Sequence, residues 1–281
     1  MVITYDDFKT ICPAGEVPDS EIFDSISAQI LTWHDRFRNI ASPEIFRSLN
    51  NLDAIPVTED IDRLTRLHRY LVGAICSLAF WDAIPQLDLV LTPTGFGVVS
   101  NQNVAPASAD RVKALRSQLR RQGLGYFEDA LEELRHLGAA DKSPACAECF
   151  RTIFWRSAHI RVFGIPSPTY DDLLGKLPEI NRAQMTLAKI ISPEQLSALI
   201  SAEAHATATP MEEMLLQMCR VLCVYEIGQN GKLWQSQKLV ILAFMEDHLD
   251  DFPAYRDSQT YQANHINPYE NKPDDPCFFF G

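Results

Sequence analysis

Three groups of residues are of types that could do chemistry. Cys146 and Cys149 form the single Cys-x-x-Cys of the chain, and His159 follows ten residues later. Two thiolates and an imidazole would make three zinc ligands, whereas a structural site wants four. No fourth ligand stands at a matching spacing, so a buried helix start after Ser143-Pro144 is the plainer reading. Glu246, Asp247, Asp250 and Asp251, with His248 among them, form the second group. At helical spacing Glu246 shares a face with Asp250, and Asp247 with Asp251. Metal or acid–base work would need further groups converging from elsewhere, and no partner motif offers them. A solvated acidic face is expected. Cys76 is the third candidate, but it sits in an apolar helix with no evident base to activate it. His34, His68, His136, His205 and His265 are isolated and read as surface or core-edge residues. No Gly-x-Ser-x-Gly and no His-Glu-x-x-His occurs. The expectation is a non-enzymatic chain with no catalytic residue, no cofactor and no metal.

Charge narrows the partners. The 281 residues carry a formal charge of −12, which argues against an extended grip on nucleic acid, since such binding needs clustered cations that release counterions. Lys113, Arg116, Arg120 and Arg121 form the strongest basic cluster and read as the solvated face of a helix. Seven cysteines, an odd number scattered through apolar segments, suggest a reducing compartment. "MVITYDDFKT" has neither the basic start nor the apolar core of a secretory leader. Apolar runs such as Leu239 to Met245 are too short to span a bilayer, so no membrane is expected.

The elements that would have to position these residues are helices. Ile61, Leu64, Leu67, Leu71, Ile75 and Leu78 recur every three or four residues, one apolar stripe of a long helix. Met211, Met214, Leu215, Met218, Leu222 and Tyr225 do the same later in the chain. Residues 23–49 also align without gaps on residues 173–199. Ile30 falls on Ile180, Ile40 on Ile190, Ser42-Pro43-Glu44 on Ser192-Pro193-Glu194, and Leu49 on Leu199. Ser42 and Ser192 stand where a helix N-cap belongs, with proline at the first helical position. The fold class expected is mainly α: two related helical bundles, an internal duplication, each running helix, short helix, long helix, long helix. The boundaries expected are 1–140 for the first bundle, 141–265 for the second, and 266–281 for an extended C-terminal tail.

One stretch departs from helical patterning. In residues 87–108, Leu87, Leu89 and Leu91 alternate with Asp88 and Val90, near the period of a half-buried strand. Thr92-Pro93-Thr94-Gly95 supplies a turn, and Phe96-Gly97-Val98-Val99-Ser100 returns. A β-hairpin at about 87–103 is expected, inserted where the second half has only "GQNGK" (228–232). It is a poor phosphate loop, because it lacks both the third glycine of a dinucleotide fingerprint and the Gly-Lys-Ser/Thr of a P-loop. An isolated hairpin is marginal in water and must lie on something. The ribbon is therefore read as an arm for assembly, with Pro93, Gly95, Phe96, Val98 and Val99 as candidate interaction residues. Phe278, Phe279 and Phe280 join them from the tail.

"LTPTGFGVVSNQNVAPASADRV" (91–112), "DDFPAY" with Ser258 and Tyr261, and "NKPDDPCFFF" (271–280) resemble a family of uncharacterised proteins of phages and prophages of gut Bacteroidetes. The resemblance is strongest over the ribbon and its following helix. It carries no residue roles. It implies a virion structural protein of head–tail connector or completion type in the bacterial cytoplasm or in a virion, with itself or other virion proteins as partners. A connector ring encloses DNA without gripping it, so the acidic charge is compatible with that role. A soluble helical scaffold for host protein interactions is the alternative.

Overall fold

A computed structural model describes residues 2–12, 21–50, 52, 59–87, 89–92, 95–98 and 108–265. The described chain is mainly α-helical. It divides into two compact units: residues up to Leu177 together with Glu203–Thr207, and Pro178–Ala202 together with residues from Ala208 onward.

The first unit opens with α1 (Tyr5–Ile11), whose Thr4 and Asp7 form a reciprocal capping box. The short α2 (Glu21–Ser25) leads into α3 (Ser27–Ala41) and α4 (Pro43–Ser48). Two long helices, α5 (Glu59–Leu87) and α6 (Ala109–His136), make the most extensive helix pair of the protein. They approach closely because each offers a glycine where the other offers a bulky side chain. A Cβ on Gly73 would stand 2.6 Å from the Tyr126 ring, and one on Gly123 would stand 2.6 Å from Leu78. The expected α5 stripe is buried from Leu64 to Leu78, while Ile61 is half-buried. Burial also widens beyond one stripe: every residue from Leu71 to Phe80 is buried.

That widening corrects the expectation about apolar segments. Asp60–Leu87 is long and apolar enough to cross a membrane by length and composition, and 67% of its most apolar window is buried inside the protein. A helix surrounded by other elements is apolar all round for the same reason as one surrounded by lipid.

The first unit does not end at residue 140. After α7 (Ala139–Lys142), α8 (Pro144–Cys149) packs on α3, and Cys146, Phe150 and Trp155 join the core of α5 and α6. Trp155 Nε1–H donates to Glu203 Oε2 at 2.5 Å, and Arg135 lies 3.6 Å from the same carboxylate. These bonds tie Glu203–Thr207 to the first unit. The boundary falls at 177/178, inside α9 (Tyr170–Ile191) and next to its internal Pro178. The apolar side chains of 144–155 were available to either bundle, and their packing partners decide the matter.

The second unit contains the rest of α9, most of α10 (Pro193–Ala204), α11 (Pro210–Ile227) and α12 (Gly231–Asp247), followed by the short α13 (Pro253–Arg256) and α14 (Gln259–Asn264). Thr209 and Glu212 form a capping box with Pro210 in the first turn, and Asn230 caps α12. The buried face of α11 is Leu215, Leu216, Cys219, Leu222 and Cys223. The expected stripe is shifted around the helix: Leu215 and Leu222 are buried, Met211, Met218 and Tyr225 are half-buried, and Met214 is exposed.

Between α5 and α6 lie two short strands, β1 (Leu89–Thr92) and β2 (Gly95–Val98). They pair antiparallel, Leu89 with Val98 and Thr92 with Gly95. The proposed tail, 266–281, lies outside the described residues.

Candidate functional site

The most chemically distinctive surface is a cleft of about 580 Å³ where α5 ends and α6 begins, at the root of the two strands. Its position follows from local sequence. Ser108 caps α6, accepting a hydrogen bond from the Arg111 amide at 3.4 Å, and the helix then runs unbroken through the basic cluster. Lys113, Arg116, Ser117 and Arg120 recur at three- and four-residue spacing and share one face. Trp81, on the facing end of α5, supplies an aromatic plane. The Arg116 guanidinium carbon lies 5.3 Å from the Trp81 ring centre and that of Arg120 lies 4.5 Å away. Ala109 and Val112 complete the lining.

The two arginines differ in how they are held. Arg120 makes a forked pair with Asp171, with Nε and Nη2 each 2.6 Å from a carboxylate oxygen. That hydrogen-bonded pairing raises the guanidinium's pKa further. Arg116 has a buried Nε with no hydrogen-bond partner among the described residues. A buried, unused N–H of a cation is costly unless something accepts from it. With Arg120 neutralised by Asp171, Lys113 and Arg116 leave the cleft cationic within a chain of net charge −12. Arginine keeps its proton at any physiological pH, so the site is suited to recognising carboxylates or phosphates rather than to transferring protons.

The residues singled out by the sequence are placed elsewhere. Gly95, Phe96 and Val98 lie in β2, opposite Thr92, Leu91 and Leu89. Pro93, Val99, Phe278, Phe279 and Phe280 lie outside the described residues. Cys146 is buried at the start of α8, and burial pushes its thiol up to about 12 and that of Cys149 to about 11. The His159 ring stacks edge-on against Trp155, with centroids 5.4 Å apart. Among the described residues, no group of three or more possible metal ligands converges. Cys76 is buried, and burial raises its thiol well above the ordinary value.

The acidic run is not a uniformly solvated face. Glu246 accepts from the Tyr255 hydroxyl at 3.4 Å and lies 3.3 Å from His265. Asp250 is 3.5 Å from Arg256, and His248 Nδ1 is 3.0 Å from the Phe244 carbonyl. These residues fasten α13 and α14 to the end of α12. The basic cluster, conversely, is more than a solvated face. Its helical spacing was legible; Trp81 and Asp171, distant in sequence, were not.

No curated protein matches this chain, and no solved structure matches it. Residues 39–143 match the model of a family described as a family of unknown function (DUF6712). That segment runs from the end of α3 into the residues just after α7, so both strands and every lining residue of the cleft lie in the part of the chain similar to that family.

Proposed function

We propose that this protein works by protein–protein assembly through the ribbon and the cationic cleft at its root. The observation carrying the reading is their coincidence: a β pair inserted between two helices that already pack together, beside the cleft that holds Arg116 and Trp81. An insertion in a loop leaves the bundle intact and is where binding roles are commonly carried. A cationic cleft in a strongly acidic chain is complementary to the chain's own acidic surface, which supports self-assembly or a similarly acidic partner. The resemblance of 91–112 to phage and prophage proteins favours a virion structural role of head–tail connector or completion type, carried out without catalysis.

The two halves are read as copies of one ancestral bundle. In support, α3–α4–α5–α6 and α9–α10–α11–α12 follow one another in the same order, and the Ser42 and Ser192 turns share their geometry. On that reading the ribbon was added to one copy.

The test is the assembly state of the purified chain by native mass spectrometry and negative-stain microscopy. Closed rings that disappear in Lys113→Glu/Arg116→Glu, with the helical circular dichroism unchanged, are the expected result. A stable monomer at all concentrations would remove the connector reading in favour of a host-interaction scaffold.

A further inference from the structure

α12 is an apolar helix that its own unit does not cover. Ile241 and Met245 face inward and are fully buried, yet Leu233, Leu239 and Val240 are 44%, 57% and 48% exposed. Exposed apolar side chains grouped on one helix mark a surface built to be covered.

The chain itself provides a complementary segment next to this face. α14 ends at Asn264, and the following residue, His265, has Nε2 3.3 Å from Glu246 Oε1. The described chain therefore ends beside the last turn of α12. Residues 266–281, "INPYENKPDDPCFFFG", continue from that point. Three prolines resist helix formation in this segment, and three phenylalanines stand near its end. From Glu246 back to Leu233 is roughly 20 Å along the helix axis at 1.5 Å per residue. Phe278, thirteen residues beyond His265, can reach as far as about 45 Å. The phenylalanines can thus span the whole exposed face.

We infer that the exposed face of α12 is the docking site of this chain's own residues 266–281. Phe278, Phe279 and Phe280 cover Leu233, Leu239 and Val240. This site is in the second unit and does not involve the ribbon, so its success or failure is separate from that of the assembly reading.

A thiol introduced by Leu239→Cys in the full-length chain tests it in two ways. Its maleimide labelling should be slower by about tenfold or more than in the same chain carrying Phe278→Ser/Phe279→Ser/Phe280→Ser, as a mostly covered site requires. A bismaleimide should also join it to the native Cys277 within one chain, at a rate independent of protein concentration. Equal labelling rates in the two proteins would overturn the inference. So would a cross-link appearing only between chains, which would assign the face to the tail of a second copy.

Discussion

The turn at Ser42 and the turn at Ser192 are the same piece of structure with one telling difference. Each serine has positive φ, 71° and 75°, a conformation that side-chain-bearing residues seldom adopt. Each is buried, and each side-chain oxygen accepts the amide three residues on, Ile45 at 3.3 Å and Gln195 at 3.1 Å. Burial agrees position by position across 41–49 and 191–199. At the third residue of the short helix, however, Ile45 is apolar and Gln195 is not. Gln195 is 1% exposed, and its Oε1 accepts the backbone N–H of Tyr255 at 3.1 Å. One side chain turns a plain packing position into an anchor for the C-terminal helices. Two turns of like backbone can thus differ in the task of a single side chain.

Exchanging those residues should break the comparison most. Ile45→Gln buries an amide with no acceptor or donor built for it and should cost about 2–4 kcal/mol in denaturant unfolding. Gln195→Ile leaves the Tyr255 amide with only its bond to the Phe252 carbonyl, at 3.1 Å, and should cost roughly 1–2 kcal/mol, with faster hydrogen exchange confined to α13 and α14. If Ile45→Gln proves neutral, the two environments are not as different as they look.

Removing the caps should affect both turns alike. Ser42→Ala and Ser192→Ala each lose a buried hydrogen bond while keeping the unfavourable φ, and each should cost about 1–2 kcal/mol. Ser→Gly at either site should cost less, because glycine accepts positive φ without strain. Thermal melts showing the effect at one serine only would end the equivalence.

α6 and α12 differ in their charges, which predicts a pH dependence belonging to the first unit. α6 buries Glu128 and Glu133, whereas α12 buries no carboxylate. Glu133 is held by Arg63 at 3.2 Å and Arg66 at 2.5 Å. Burial raises the Glu128 carboxyl above its ordinary 4.5, against the opposing bonds from the Ser157 amide and hydroxyl. A carboxyl raised in the folded state binds its proton more tightly folded than unfolded. Its contribution therefore favours folding at acid pH and is lost as pH rises from 4.5 through the folded value. Asp129, raised mainly by burial, adds to this slope, and Asp172 opposes it only below 3.8, where its hydrogen bonds with Thr169 hold it lowered. Glu128→Gln should flatten the dependence of the unfolding midpoint on pH over that range. An unchanged slope would mean that Glu128 titrates alike in both states.

The smallest effect should come from the largest change. Replacing 88–107 by the "GQN" (228–230) that joins α11 to α12 should shift the melting temperature by no more than about 2–4 °C, because the α5–α6 contact is made by residues outside the replaced segment. A large loss of stability would make the ribbon part of the bundle.

Much of this was legible in the sequence, because local rules govern it. The helical class follows from apolar spacing, the start of α6 from Ser108, and the paired turns from Ser-Pro-Glu at matched positions. These features depend on residues within a few positions of one another, where capping and periodicity act. What depends on distant partners was decided only by the tertiary structure. Residues 144–155 belong to the first unit because Phe150 and Trp155 find their neighbours there. The basic cluster becomes a cleft because Trp81 meets it from the other long helix and Asp171 occupies Arg120, while the Arg116 Nε has no hydrogen-bond partner among the described residues. The acidic run at 246–251 becomes a fastening because Tyr255, Arg256 and His265 fold back onto it. Charge and apolarity are written along the chain, but whether a residue ends as surface, core or ligand depends on what packs against it, and sequence spacing does not encode that.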